Sequence, residues 1–382
     1  MGHWIFTEEH EMLRKTVRKF VEKEITPYVE QWEREGRVPR SVFHRMGELG
    51  FLGMSVPEEY GGSGLDMISE AVLLEEIGRC GSGGTAASIG AHIGIALPPI
   101  YHFGNDDQKR KYVPVGLSGE KIFALAITEP DAGSDVSSIR TRAEKRDDHY
   151  LLHGSKMFIT NGVQADYIVV AAKTAPEKGY RGISLFLVDA KTEGVRVGKK
   201  LDKLGWRASD TAEFIFDGVK VPSTNLIGQE NEGFTYIMKN FQWERIVLGL
   251  LAIVTSELAL QAAMEYSKKR KQFGGPIAHF QVLRHMMVDM AVDIEKAKAI
   301  AYHAIDLYRQ GMDVTTEATM AKTFATEMAA RVTDKAVQIH GGSGYMMEMP
   351  VQRYWRDARL LTIGGGTTQI MNEILVKRLG IL

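Results

Sequence analysis

The chain holds one cysteine, Cys80. A single thiol cannot close an intrachain disulfide or build a cysteine-based zinc site, and it fits a reducing compartment. An excess of charge of one sign is also missing. With 47 basic and 48 acidic residues the formal net charge is −1, so nothing points to nucleic acid or an anionic membrane surface as a partner. The 11 histidines are scattered without HExxH or similar ligand spacing, and no metal is expected. The opening MGHWIFTEEHEM lacks the apolar segment of a signal peptide and shows no transit-peptide pattern. Phe6 stands where a myristoylation pattern needs Ser or Thr. Internal repeats and low-complexity tracts are absent. These absences together predict a cytoplasmic protein of prokaryotic type.

The 382 residues suffice for two or three domains, and 44% hydrophobic with 25% charged residues is ordinary for a globular chain. One apolar run stands out, Val247 to Met264, with Glu257 its single charge. It is about long enough for a bilayer, which takes ~18–20 residues. Thr255, Ser256, Glu257 and Gln261 are cheaper in a protein core, so the run reads as a buried bundle helix without stable membrane insertion.

Helical spacing dominates residues 1–120. Leu13, Val17, Phe20 and Val21 form one face that Pro27 ends, and Val42, Phe43, Met46 and Leu49 form another. The loop PEEYGGSG (57–64) interrupts, and a further helix is predicted from Met67 to Arg79. Gly81, Gly83 and Ala86 then make a loose GxGxxA match. A dinucleotide fingerprint must follow a strand. A helix precedes this one, so it reads as a helix junction. Residues 121–228 change to strand texture, with candidates at Phe123–Thr128, Tyr150–Leu152, Met157–Thr160, Tyr167–Ala172, Ile183–Val188 and Glu213–Phe216. Their spacing predicts a small antiparallel, barrel-like or sandwich domain, closed by a linker at Pro222 and Asn225. Residues 229–382 return to helix at roughly 233–268, 277–310, 316–340 and 368–379, with an irregular stretch at 341–367. That is a four-helix bundle. The fold class is α+β, in the order helical, β, helical.

Within this frame, Phe241-Gln242-Trp243-Glu244-Arg245 carries the chemistry. A carboxylate and a guanidinium stand side by side at the head of a greasy helix. Desolvation there should raise the Glu244 pKa toward the range of a general base. Taken alone, the pair reads more readily as a helix-start ion pair.

Several spaced motifs resemble the acyl-CoA dehydrogenase family over essentially the whole chain: ITEPDAGSD (127–135), KMFITNG (156–162), KLGWRASDTAEFIFDGVKVP (203–222), RKQFGGPIAHFQ (270–281), QIHGGSGY (338–345) and RDAR (356–359). The resemblance implies an N-terminal helical domain, a central β domain and a C-terminal four-helix bundle. It also implies a homotetrameric flavoprotein that takes one hydrogen from each of C2 and C3 of an acyl-CoA. By motif position, FAD would be lined by Leu125, Ile127, Thr128, Gly133, Ser134, Phe158, Ile159 and Thr160, with Phe158 where many members carry Trp. The exposed backbone N–H groups of a Gly133–Ser134 turn suit an anion. Arg270, Gln272, Phe273, Gln281, Gln338, Gly341 and Gly342 match residues that reach the FAD of a neighbouring subunit. Thr367 and Gln369 complete the cofactor set. Read without the motif, Arg270 is one more surface charge in SKKRKQ; an arginine also suits a pyrophosphate.

One departure matters. Most members carry their catalytic Glu in a stretch like IYEGTSEI, whereas this chain has Ile363-Gly364-Gly365-Gly366-Thr367-Thr368-Gln369-Ile370, with Gly365 at the Glu position. Isovaleryl- and long-chain-type members instead place the base one residue before an Arg on the first long bundle helix, and Glu244-Arg245 matches that place. The resemblance then implies α-proton abstraction by Glu244 and β-hydride transfer to flavin N5. The Gly365 N–H would polarise the thioester carbonyl, and Ser134, Arg245, Gly364, Gly365 and Gly366 would line the substrate. Electrons would pass to an electron-transfer flavoprotein. A non-catalytic flavin- or acyl-CoA-binding relative and an acyl-CoA oxidase using oxygen are the alternatives. The segment Ser88–Leu97 is expected in the acyl-pocket wall. The glycine loop is expected either to leave room for bulk near the reacting carbons or to serve a tight turn while another side chain fills the gap.

Overall fold

The computed structural model describes residues 3–382. Helix α1 (Glu8–Phe20) starts at Thr7, whose hydroxyl accepts from the His10 N–H while the His10 ring accepts from the Thr7 N–H, a reciprocal cap that satisfies two orphan donors. Helices α2 (Val29–Glu35), α3 (Arg40–Glu48), α4 (Met67–Gly78), α5 (Gly83–Ala91), α6 (Pro98–Phe103) and α7 (Asp106–Leu117) follow. Nearly every residue of α4 is buried, including Glu70, Glu75 and Glu76. The expected helix junction at 80–94 is largely α5 itself. Its glycines serve close packing: a Cβ on Gly84 would stand 2.7 Å from Ala208 N.

Eight strands form one sheet: β1 (Phe123–Ala126), β2 (Arg142–Lys145), β3 (His149–Thr160), β4 (Tyr167–Lys173), β5 (Ile183–Asp189), β6 (Val195–Lys200), β7 (Thr211–Pro222) and β8 (Leu226–Ile227). Their order is β6-β7-β3-β2-β4-β5-β8, with β1 also on β4. The sheet is open at β6 and β8, and it is not purely antiparallel. β1 runs parallel to β4, and β2 meets β4 in parallel at Arg142 and Lys173. The hairpin β2–β3 lies between β1 and β4 in the chain and supplies the crossover that parallel neighbours require. The two short strands expected at 150–152 and 157–160 are one strand, β3, whose register against β7 slips between Lys156 and Ile159.

Helix α8 (Gly233–Lys269) is followed by a two-stranded hairpin of β9 (Lys271–Gln272) and β10 (Gly275–Pro276), then α9 (Gln281–Arg309), α10 (Thr315–His340), α11 (Pro350–Leu361) and α12 (Thr368–Arg378). Among the described residues α8 is the one helix long and apolar enough to cross a membrane. It is packed against α4, α9, α10 and α11, with Ile246 through Val254 buried without a break. Helix α11 lies in the stretch expected to be irregular. Its inward face carries Gln352, Arg353, Arg356 and Asp357, so apolar periodicity does not mark it. Those groups bond backbone instead. Arg353 donates to Gly81 O at 2.7 Å, Arg356 donates to Leu204 O at 2.8 Å, and Asp357 accepts from Trp206 N at 2.6 Å and Gly83 N at 2.9 Å. The RDAR and GWRAS motifs are thus one staple joining the helical parts to the β domain.

Candidate active site

Glu244 lies about three turns into α8, with the buried residues Trp243 and Arg245 next to it in sequence. Trp243 is fixed by its indole N–H, which donates to Glu70 Oε1 at 2.8 Å, and Ser55 donates to the same carboxylate. A π-helical segment, His92–Ala96, brings Gly94 against that ring: a Cβ there would be 3.6 Å from Trp243 Nε1. Such bulges often sit at functional sites, and this one lies within the expected wall Ser88–Leu97. Ser88 itself turns the other way and donates to Asn161 Oδ1 at 2.5 Å.

The Glu244 Oε2 atom is buried and has no hydrogen-bond partner. Burial pushes the Glu244 pKa up to about 7, against the pull of Arg245 and Lys322. Arg245 is 5% exposed, donates to Thr319 Oγ1 at 3.5 Å and lies over the Phe241 ring. Burial lowers its pKa and Glu244 opposes that. Its Nε is also without a partner. Arg245 therefore belongs to the interior network around Glu244.

The glycine loop meets this helix. A Cβ on Gly365 would stand 3.6 Å from Glu244 Oε1 and 2.3 Å from Leu248 Cδ1. One on Gly366 would strike Met371 Cε at 2.4 Å, and one on Gly364 would reach only Leu360, at 3.8 Å. Of the three glycines, Gly365 alone would aim a side chain at Glu244. Leu248 already occupies the room such a side chain would take, so the expectation of open space there is corrected: another residue fills the gap. Thr367 caps α12 by accepting from Ile370 N at 3.2 Å, and Gln369 is exposed beside it.

The second group of residues lies on the β domain. Lys156 Nζ donates to Ile127 O and to Glu129 Oε1, each at 2.8 Å, and Met157 N donates to Thr128 O at 2.8 Å. These bonds join ITEPDAGSD to KMFITNG. The Glu129 carboxylate also accepts from Arg140 N and Thr141 N. Burial works to raise its pKa; the Lys156 charge and these bonds outweigh it and hold the carboxyl below its ordinary range. Phe158 sits at the slipped register with φ 62° and 64% of its surface exposed. A bulged aromatic in a left-handed conformation is strained. Gly133 and Ser134 are exposed, and no atom lies within 4 Å of a Cβ built on Gly133. Leu125 and Thr160 are half-buried, while Ile127 and Ile159 are buried in the domain core. The side chains of those two isoleucines therefore belong to the core, and Ile127 O is already taken by Lys156 Nζ.

Three family models together match nearly the whole chain: the acyl-CoA dehydrogenase N-terminal domain over residues 7–120, the middle domain over 124–219 and the C-terminal domain over 231–380. The chain belongs to the acyl-CoA dehydrogenase family. An acyl-CoA dehydrogenase of Bacillus subtilis is 44% identical over 98% of both chains. The mitochondrial long-chain specific acyl-CoA dehydrogenase of Rattus norvegicus is 38% identical, covering 98% of this chain and 87% of its own. A crystal structure of acyl-CoA dehydrogenase from Geobacillus kaustophilus superposes with a TM-score of 0.95 at 41% identity, over 99% of this chain and 100% of its own. This acyl-CoA dehydrogenase is FAD-dependent. Its residues fit the cofactor: Phe158, exposed at a bulge, presents a flat apolar face, and the open Gly133–Ser134 turn offers backbone donors.

The remaining expected cofactor residues sit at the opposite end of α8. Arg270 is about 39 Å from Glu244 along the helix, at roughly 1.5 Å per residue. It opens the hairpin whose two-residue turn is Phe273-Gly274, with φ 51° and 86°. Positive φ at both positions suits such a turn. Phe273 is 95% exposed at the tip. Arg270, Gln272 and Gln281 are exposed around it. Tyr266 stacks on His340 at 4.3 Å and donates to Ser343, which brings the exposed Gln338, Gly341 and Gly342 to the same end. Within one chain these residues therefore lie at the far end of α8 from Glu244.

Reasoning from sequence missed Glu129, Lys156 and Lys322. Lys156 had a signal, a lysine on a buried position of a strand; Glu129 and Lys322 had only their place inside apolar or small-residue surroundings.

Proposed function

We propose that the enzyme oxidises an acyl-CoA thioester to the 2-enoyl-CoA with Glu244 as the base that removes the C2 proton. One observation carries the reading: Glu244 Oε2 is buried, has no partner, and belongs to a carboxyl whose pKa burial raises to about 7. A carboxylate so placed is ready to take a proton near neutral pH. The Gly365 N–H, at the loop facing Glu244, is the donor to the thioester oxygen as charge develops there. The Arg245 charge favours the ionised form of Glu244, and Leu248 closes the space beside Gly365. Phe158 and the Gly133–Ser134 turn would hold FAD, which would supply the hydride acceptor for this chemistry.

The same reading includes a homotetramer. Phe273, Arg270, Gln272, Gln281, Gln338, Gly341 and Gly342 would complete the cofactor site of a neighbouring copy, which accounts for a phenyl ring left almost wholly in solvent. It also includes an electron-transfer flavoprotein as acceptor and a cytoplasmic location. Anaerobic bleaching of the flavin by a panel of acyl-CoAs tests the activity. Bound FAD that no acyl-CoA bleaches would leave a non-catalytic binding protein. Rapid peroxide formation without an acceptor protein would make the enzyme an oxidase.

A further inference from the structure

Lys322 lies about two turns into α10 with no exposed surface. Around it on the buried face are Ala318, Thr319, Ala321, Ala325 and Thr326, none of them charged. A buried ammonium is costly unless charge and hydrogen bonds compensate it. Two compensations are present. Its Nζ donates to Gly366 O at 2.5 Å. From α8, Glu244 supports its charge and Arg245 opposes it, while burial brings its pKa down to about 8.

The bond to Gly366 matters because of what the loop lacks. Gly364, Gly365 and Gly366 offer no side chain for anchoring, and Gly365 and Gly366 stand at φ 64° and 97°. Three successive glycines have wide conformational freedom. The loop is tied at one end by Gly364 N, which donates to Leu360 O at 2.9 Å, and at the other by the Thr367 cap. Between these ends Lys322 grips the Gly366 carbonyl.

We propose that Lys322 is a positioning residue of this reaction: its ammonium ties the glycine loop to α10, so that the Gly365 N–H is held opposite Glu244, and it serves as a counter-charge to the Glu244 carboxylate. The proposal rests on Glu244 being the base. It assigns a use to a charge that neither cofactor nor sheet explains.

Lys322→Met removes the charge and the donor but keeps an unbranched side chain. Without a nearby cation a carboxylate holds its proton more tightly. The midpoint of the pH dependence of flavin reduction should therefore rise by at least about one unit, about tenfold in proton affinity. The infrared band of the protonated Glu244 carboxyl, identified by its loss in Glu244→Gln, should persist to correspondingly higher pH with no substrate present. Lys322→Arg should return both midpoints toward wild type. Lys322→Gln keeps a donor without charge; its midpoints should rise as in Lys322→Met, while its limiting rate at high pH stays above that of Lys322→Met. The Gln and Arg variants carry the test by themselves if the Met variant does not fold. Midpoints unchanged in the neutral variants, beside an inactive Glu244→Gln, overturn the proposal for Lys322 alone. Equal limiting rates for Gln and Met overturn the loop tie. A Glu244→Gln enzyme that reduces flavin at the wild-type rate overturns the reading of the base itself.

Discussion

Glu244 Oε1 lies 3.6 Å from the point where a Cβ on Gly365 would stand. Two elements far apart in the chain, α8 and the loop before α12, therefore address one spot. A carboxylate delivered by the helix does not need one from the loop, and a side chain on the loop would crowd it. A carboxylate at 365 and one at 244 would thus compete for the same spot.

Glu244→Gln removes the base and leaves the shape nearly unchanged. General-base catalysis contributes ~10²–10⁴-fold, so flavin reduction by acyl-CoA should slow by at least about two orders of magnitude while FAD stays bound. Stopped-flow reduction under anaerobic conditions measures this; a wild-type rate would rule Glu244 out. Adding Gly365→Glu could restore part of the activity only if the new side chain clears Leu248, whose Cδ1 is 2.3 Å from the required Cβ position. Recovery should be greater when Leu248→Ala is included.

The Glu244 pKa near 7 also sets a pH dependence. The base works ionised, so flavin reduction should rise with pH through about 7. Stability runs the other way. The folded pKa is raised above the ordinary 4.5, so the fold favours the protonated form. That contribution is fully present below about 4.5 and is lost as pH rises through about 7. Glu244→Gln removes the dependence, and its melting temperature relative to wild type should be higher at about pH 8 than at about pH 5. A constant difference between the two would show that Glu244 is not held protonated by the fold.

The long helices were legible because their apolar spacing runs for many turns; the expected 316–340 became Thr315–His340. The raised carboxyl of Glu244 was legible because an uninterrupted apolar run follows it. Other parts were hidden for physical reasons. Helix α11 buries arginines and an aspartate that bond to backbone across the chain, and no local pattern announces such partners. Strand β6 has an exposed pattern after its first residue, so it shows no period of two. The conformation of Phe158 arises from a slip between β3 and β7, which only pairing creates. Lys322 looks like a solvent-facing lysine until α8 and the glycine loop close over it.

Glu129 and Lys156 make a buried pair at 2.8 Å that fastens the Gly133–Ser134 turn to β3. Removing one partner strands the other charge, which typically costs ~3–5 kcal/mol. Glu129→Gln should lower the melting temperature and the FAD content per chain together. The double change Glu129→Gln with Lys156→Met should be less harmful than the sum of the single changes, because no buried charge is left alone. Strict additivity would show that the two groups do not act as a pair.

Phe273 stands 95% exposed on a turn with positive φ, an arrangement that makes sense when another copy covers it. Phe273→Asp should shift the assembly to smaller species in light scattering and weaken FAD retention at the same time. If the variant remains a tetramer with full FAD content, the phenyl ring is not an intersubunit contact.

Selectivity near the reacting carbons should rest on Leu248 rather than on the glycine loop. Leu248 is a buried residue of α8, one turn beyond Glu244, and its Cδ1 fills the space that a side chain on Gly365 would occupy. Gly366 adds no room on this side, since its missing side chain would face Met371. Shortening Leu248 to Ala opens space next to the base. A linear butyryl chain cannot fill it, and the lining loses contacts. A branched or aryl-bearing chain can fill it. One methylene in an apolar pocket is worth about 1–3 kcal/mol, about 10- to 200-fold in specificity. The ratio of kcat/KM for isovaleryl-CoA over butyryl-CoA should therefore rise at least about tenfold in Leu248→Ala, with phenylpropionyl-CoA moving the same way. The ratio for palmitoyl-CoA should change less, because its extra length lies beyond C3. The measurement uses one electron acceptor for all four substrates in both enzymes. An unchanged isovaleryl-to-butyryl ratio would mean that Leu248 does not border the reacting carbons.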